Sequence, residues 1–251
     1  MFDNIKVAFE DKSDKDLNRA YLLFKTISNP IISKTLTAFV KIAMWLHLPI
    51  NGVIKATVYK HFCGGTTINN SQDTIDKLWK SHIGTILDFS AEGKESENDF
   101  NRAMNETIAS IKKAKTESSI PFSVFKPTGL ARFSLLEKIS DNQTLTKEEE
   151  IEKETFEGRI ENICKTSSEN RVPLFIDAEE SWIQNAIDDI AIVMMKKFNT
   201  KEACIFNTLQ LYRNDRVTHL EMILKMAKEQ DFFVGLKLVR GAYHEQEIER
   251  A

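Results

Sequence analysis

Apolar residues over the first 82 positions recur at helical spacing, whereas from residue 83 onward short apolar runs alternate with longer amphipathic stretches. Ser13 is placed to cap a helix carrying Leu17, Tyr21, Leu22 and Phe24, and Pro30 punctuates the start of the next. Leu36, Phe39, Val40 and Ala43 share one helical face, so Ile31–Leu46 is predicted as an amphipathic helix. Gly64 and Gly65 end the segment that follows.

The short runs of the second part are Gly84–Phe89, Pro121–Lys126, Val172–Ile176, Ala203–Leu209 and Phe233–Val239. Helical patterns separate or follow them at Glu97–Thr116, Lys147–Ser168, Trp182–Phe198 and Arg216–Lys228. Five strand–helix units with near-continuous apolar strands predict a parallel sheet covered by helices. Such a sheet is either doubly wound or rolled into a barrel. Each run ends in polar residues: Asp88 and Glu92, Lys126, Asp177 and Glu179, Gln210, then Arg240. In a barrel those ends meet at one mouth. A doubly wound nucleotide-binding sheet would more typically carry a GxGxxG after its first strand, and none follows Phe89. The expected class is therefore α/β, a (βα)8 barrel preceded by an all-helical region, with 1–82 helical and 83–251 catalytic. A full barrel takes about 250 residues, and 83–251 accommodates about five βα units, so the expectation is of a partial barrel in a C-terminally incomplete sequence. A five-stranded open sheet is the alternative.

Composition narrows the chemistry. A net charge of −3 without a basic block argues against nucleic acid as a partner. Cys63, Cys164 and Cys204 are far apart, with no CxxC spacing, and the five histidines are scattered, so neither a disulfide framework nor a metal site is expected. The first 16 residues are charged and lack the apolar core of a secretory signal. Ile31–Ile54 is interrupted by Lys34, Lys41, His47 and Pro49, too polar for a membrane span. A cytoplasmic location follows, with peripheral contact at the inner membrane left open.

A lysine at a strand end, such as Lys126, is more often solvated or salt-bridged than a ligand. Asp177 follows an apolar strand, so its charge needs a partner, although capping the next helix is an equal reading. Gln210 fits a role in satisfying loop backbone as well as a role in binding. The segment Lys237–Tyr243 is sharper, since two cations, Lys237 and Arg240, flank a buried strand end and Gly241 allows close backbone approach. Residue types alone reach a barrel enzyme binding an anionic cofactor and a small charged substrate.

The stretch Lys237-Leu238-Val239-Arg240-Gly241-Ala242-Tyr243 resembles the fifth-strand signature of proline dehydrogenases. Phe125-Lys126-Pro127-Thr128-Gly129, Ile176-Asp177-Ala178-Glu179-Glu180 and Thr208-Leu209-Gln210-Leu211-Tyr212 resemble the second-, third- and fourth-strand motifs, in order. Leu87-Asp88-Phe89-Ser90-Ala91-Glu92 resembles the first, without the glycine usual before its glutamate. The resemblance spans about residues 83–251 and is to the monofunctional bacterial type. It implies FAD at the barrel mouth, oxidation of L-proline to Δ1-pyrroline-5-carboxylate with hydride passing to flavin N5, and a quinone as electron acceptor. It further implies that Lys126 meets the substrate carboxylate, that Asp177 joins the substrate-site polar network, that Tyr243 shapes the pocket and that Glu92 gates it. Gln210, Lys237, Val239, Arg240, Gly241 and Ala242 would contact the flavin. The family's Arg-Arg pair is absent from these 251 residues, so weak proline binding is expected of this chain alone. Competing expectations are a related flavin barrel such as a methylenetetrahydrofolate reductase, and a non-catalytic fragment or interaction module.

Overall fold

A computed structural model describes residues 4–10, 12–89, 95–241 and 243–250. The chain divides into two compact units, Met1–His82 and Ile83–Ala251. In the first, α1 (Asp14–Ile27), α2 (Pro30–Trp45) and α3 (Gln72–Trp79) are the longest elements. Ser13 caps α1 by accepting the Asp16 backbone N–H at 3.2 Å. Asn29 caps α2 with Pro30 at its first position, where the missing N–H costs nothing. Among the described residues no helix is long and apolar enough to cross a membrane.

The second unit alternates strand and helix. Its elements are β1 (Ile86–Leu87), α4 (Glu97–Thr116), β2 (Phe122–Phe125), α5 (Phe133–Ser140), α6 (Lys147–Asn170), β3 (Leu174–Ile176), α7 (Gln184–Phe198), β4 (Ile205–Gln210), α8 (Arg216–Gln230), β5 (Leu236–Val239) and α9 (His244–Arg250). All four strand pairings are parallel, and the spatial order is β1-β2-β3-β4-β5. The order never reverses. A doubly wound sheet requires a switch point where it does, so the doubly wound topology falls, and the described strands form one five-stranded parallel sheet.

Register explains what the sheet buries. Parallel partners project to the same face, and side chains alternate along each strand. Ser123, Phe125, Leu174, Ile176, Ile205, Asn207 and Leu209 therefore share one face, and all are buried beneath helices. On α4, Ser110 meets Ser123 at 2.8 Å between hydroxyls. On α7, Asp188 accepts from the Asn207 amide at 2.8 Å and from Arg216 of α8 at 2.7 Å. Ile111, Ile163, Leu174, Ile187, Ile205 and Met195 fill the apolar space between, fully buried.

The observed strands are shorter than the apolar runs and lie inside them, except that β4 extends one residue further, to Gln210. β1 keeps two residues, Ile86 and Leu87, which pair with Phe122 and Ser123 of β2. α5 had no counterpart in the sequence pattern, since its eight residues give barely two turns of period; Leu135 and Leu136 anchor it. α6 begins with a capping box between Thr146 and Glu149 and runs to Asn170, where Arg171 takes a left-handed φ of 54°. α7 begins at Gln184 rather than Trp182, because Ser181 is drawn away by Glu247 of α9, which accepts from its N–H and its hydroxyl at 2.7 Å each.

Candidate active site at the strand ends

The other face of the sheet carries the chemistry. Its first row is aromatic: Phe122 and Phe175 stack with centroids 4.5 Å apart and planes 5° from parallel, and Phe206 stands edge-on to both. Two residues further along each strand, the same face becomes polar. Phe175 is followed by Asp177, Phe206 by Thr208 and Gln210, and Lys237 lies in register with Thr208. Val124, in register with Phe175, is followed by Lys126, and the Asp177 N–H donates to the Phe125 carbonyl at 3.0 Å, carrying the ladder one step past β3. Pleating thus lifts Lys126, Asp177, Gln210 and Lys237 onto one end of an aromatic floor.

A cavity of about 440 Å³ opens there, lined by Lys126, Asp177, Glu179, Lys237, Arg240 and Tyr243 among others. The sequence-derived candidates Gln210, Val239 and Gly241 also line it. Glu92 and Ala242 lie outside the described residues.

Several of these side chains have partners within the protein. The Lys237 ammonium donates to Asp177 Oδ1 at 2.5 Å and sits 5.5 Å from the centre of the Phe175 ring. The charge of Asp177 is thereby matched across the sheet. Gln210 is buried; its amide nitrogen donates to the Glu179 carbonyl, and its oxygen accepts from Arg213 at 3.1 Å. Gly241 holds φ at +117°, and a Cβ there would lie 2.5 Å from the Tyr212 ring. The glycine thus makes room for an aromatic neighbour. Tyr212 in turn donates to Glu247 at 2.9 Å. Arg240 is exposed at the rim.

Sequence reasoning placed Glu179 in an acidic cluster but gave it no role. It is 1% exposed. Its Oε1 accepts from the Thr128 hydroxyl at 2.8 Å and its Oε2 from the Tyr243 hydroxyl at 3.1 Å. Burial pushes its carboxyl up to about 7, against the opposing pull of the Thr128 hydrogen bond and the Lys126 charge. The same burial, together with the neighbouring Glu179 charge, raises the Tyr243 phenol. The signal available in the sequence was an acidic pair immediately after the apolar β3 run, where one member must turn inward. Which one turns inward depends on partners 51 and 64 positions away.

Fold and site together define an α/β protein with a charged, partly enclosed pocket at the carboxyl ends of parallel strands, the usual position for ligand chemistry in such folds. The proline dehydrogenase family matches residues 71–251. Among relatives, the carbapenem antibiotics biosynthesis protein CarD of Pectobacterium carotovorum subsp. carotovorum is 31% identical over 196 residues, covering 78% of this chain and 52% of the relative. The mitochondrial proline dehydrogenase 1 of Dictyostelium discoideum is 28% identical over 284 residues, covering 97% of this chain and 50% of its own. Among solved structures, proline utilization A from Bdellovibrio bacteriovorus, inactivated by N-propargylglycine, superposes with a TM-score of 0.66 at 16% identity over 97% of this chain and 26% of that one, a likeness of fold. The chain belongs to the proline dehydrogenase family. It spans about half the length of these two sequence relatives. Family membership sets aside the methylenetetrahydrofolate reductase alternative.

Proposed function

We propose that the protein takes part in the oxidation of L-proline to Δ1-pyrroline-5-carboxylate with FAD as cofactor and a quinone as acceptor. The five-stranded sheet is read as the first five units of a (βα)8 barrel, with 1–82 a helical region ahead of it. The observation that carries this reading is the gathering of Lys126, Asp177, Gln210, Lys237, Arg240 and Tyr243 around one cavity at the strand ends, in a chain of this family.

The residues present suit a flavin. A buried amide, two cations and a glycine-bearing turn lie together on the β4–β5 side, a donor set for the acceptor nitrogens and oxygens of a planar ring and for its phosphates. A flavin bound there would supply the two-electron acceptor that no amino acid side chain provides. Gln210, Lys237, Val239, Arg240, Gly241 and Ala242 would hold it. Arg240 supplies a positive charge at the rim, where negative charge would develop on reduction. On the β2–β3 side, Lys126 would bind the proline carboxylate, Asp177 would fix Lys237 in place, Tyr243 would close one wall and Glu92 would gate the entrance. The stacked Phe122 and Phe175 rings give the underside of the pocket an apolar floor. A cytoplasmic setting with peripheral membrane contact fits delivery of electrons to a quinone.

The test is product formation. FAD-loaded protein with L-proline and a quinone analogue is expected to yield Δ1-pyrroline-5-carboxylate. Lys126→Met is expected to raise KM for proline by about tenfold or more, one charge-assisted contact being worth that much. Equal KM in the two proteins would remove Lys126 from the site. Absence of product from protein that retains FAD would overturn the reading.

A further inference from the structure

Glu179 is the residue on which three other strand ends converge. From the turn after β2 comes the Thr128 hydroxyl, from the segment after β5 the Tyr243 phenol, and from β4 the Gln210 amide, which reaches the Glu179 carbonyl. Thr128 lies in the single 3-10 turn Pro127–Gly129, whose cap is Lys126. Holding Thr128 therefore holds the backbone from which Lys126 projects. Tyr243 lines the same cavity as Lys126. The Glu179 backbone is itself anchored, since its N–H donates to Gln184 at 3.3 Å, and Gln184 donates to Asp188 at 2.9 Å in the core.

The chemistry of the contact explains why a carboxylate stands in a place where burial opposes charge. Two hydroxyl donors approach two different oxygens, Oε1 and Oε2. An ionised carboxylate accepts both, whereas an amide has one acceptor oxygen and a second set of donors. A glutamine meets both only if one hydroxyl turns round to accept from its amide, which replaces a charge-assisted contact with a neutral one. We propose that Glu179 is a positioning residue that clamps Tyr243 and the Lys126-bearing turn across the cavity, and so sets the affinity of the site for its substrate. The substrate half of this inference rests on the proline dehydrogenase reading; the clamp itself does not.

Glu179→Gln separates the two. The test uses FAD-loaded full-length protein with tyrosine labelled at the ring ζ-carbon. The chain has four tyrosines, so Tyr243→Phe and Tyr212→Phe assign the two resonances needed. In Glu179→Gln the Tyr243 resonance is expected to move while that of Tyr212, whose hydroxyl donates to Glu247, stays in place. In turnover, KM for L-proline is expected to rise about tenfold, as for a lost hydrogen bond to a charged group, with a fall in kcat under about threefold. Tyr243→Phe removes the other end of the same contact, so the double variant should be no worse than the poorer single one. An unmoved Tyr243 resonance overturns the clamp. A moved resonance with unchanged KM, or with additive losses in the double variant, overturns its role in affinity. If unsubstituted protein does not oxidise proline, the functional reading fails, and the resonance still decides the clamp.

Discussion

At the scale of single residues, the ionisation of Glu179 is the most exposed to test. Its carboxyl titrates near 7 in the folded protein against an ordinary 4.5. Between those values the native state keeps a proton that the unfolded chain has released, so stability falls as pH rises through the window and is level above it. The cost at high pH is at most about 3 kcal/mol. Urea unfolding of the protein and of Glu179→Gln, compared from about pH 4.5 to about pH 7.5, should show the difference between them shifting in favour of the variant as pH rises. Curves that stay parallel would mean that Glu179 is not buried as a titrating group. The same residue shows where sequence reading runs out. Lys126, Asp177 and Gln210 were legible because each sits at or just past the end of an apolar run, where pleating and topology dictate the mouth of the sheet, and Lys237 because it is a cation inside one. The inward turn of Glu179 was not, because it depends on Thr128 and Tyr243, far along the chain. Gly241 was legible as a glycine that permits close approach, but the approaching group is the Tyr212 ring, a contact with no local signature.

At the scale of elements, the sheet is held to its helices by polar as well as apolar contacts. Asp188 on α7 accepts from Asn207 of β4, Gln184 of its own helix and Arg216 of α8, and both it and Arg216 are nearly inaccessible to solvent. Removing Asp188 leaves Arg216 with Asp215 as its remaining partner, but strips the buried Asn207 and Gln184 amides of their acceptor, at about 1–3 kcal/mol. Asp188→Ala should therefore lower unfolding stability by about that amount, measured by urea denaturation. A loss below about 1 kcal/mol would show that these groups are not dry. This network also leads through Gln184 to the Glu179 backbone, so it braces the site from behind. Alternating apolar runs and amphipathic stretches placed all five strands and the long helices to within a few residues. They missed α5, too short to show a period, and they overextended β1. The Asp188–Arg216 pair was invisible for a different reason: charges on an amphipathic helix read as a solvated face unless the partner is known.

At the scale of the molecule, parallel strands in unreversed order bring the motif-bearing ends to one side of the sheet, in a chain of the proline dehydrogenase family. Family membership covers residues 71–251, the second compact unit and the last part of the first. The proposed activity requires that L-proline reduce a flavin bound at this site. Mixing the FAD-loaded protein with L-proline in the absence of oxygen, and following the visible flavin spectrum, tests it most directly. The account predicts bleaching of the oxidised flavin bands, with one Δ1-pyrroline-5-carboxylate formed for each flavin reduced. A flavin that remains bound and oxidised under saturating L-proline would contradict it.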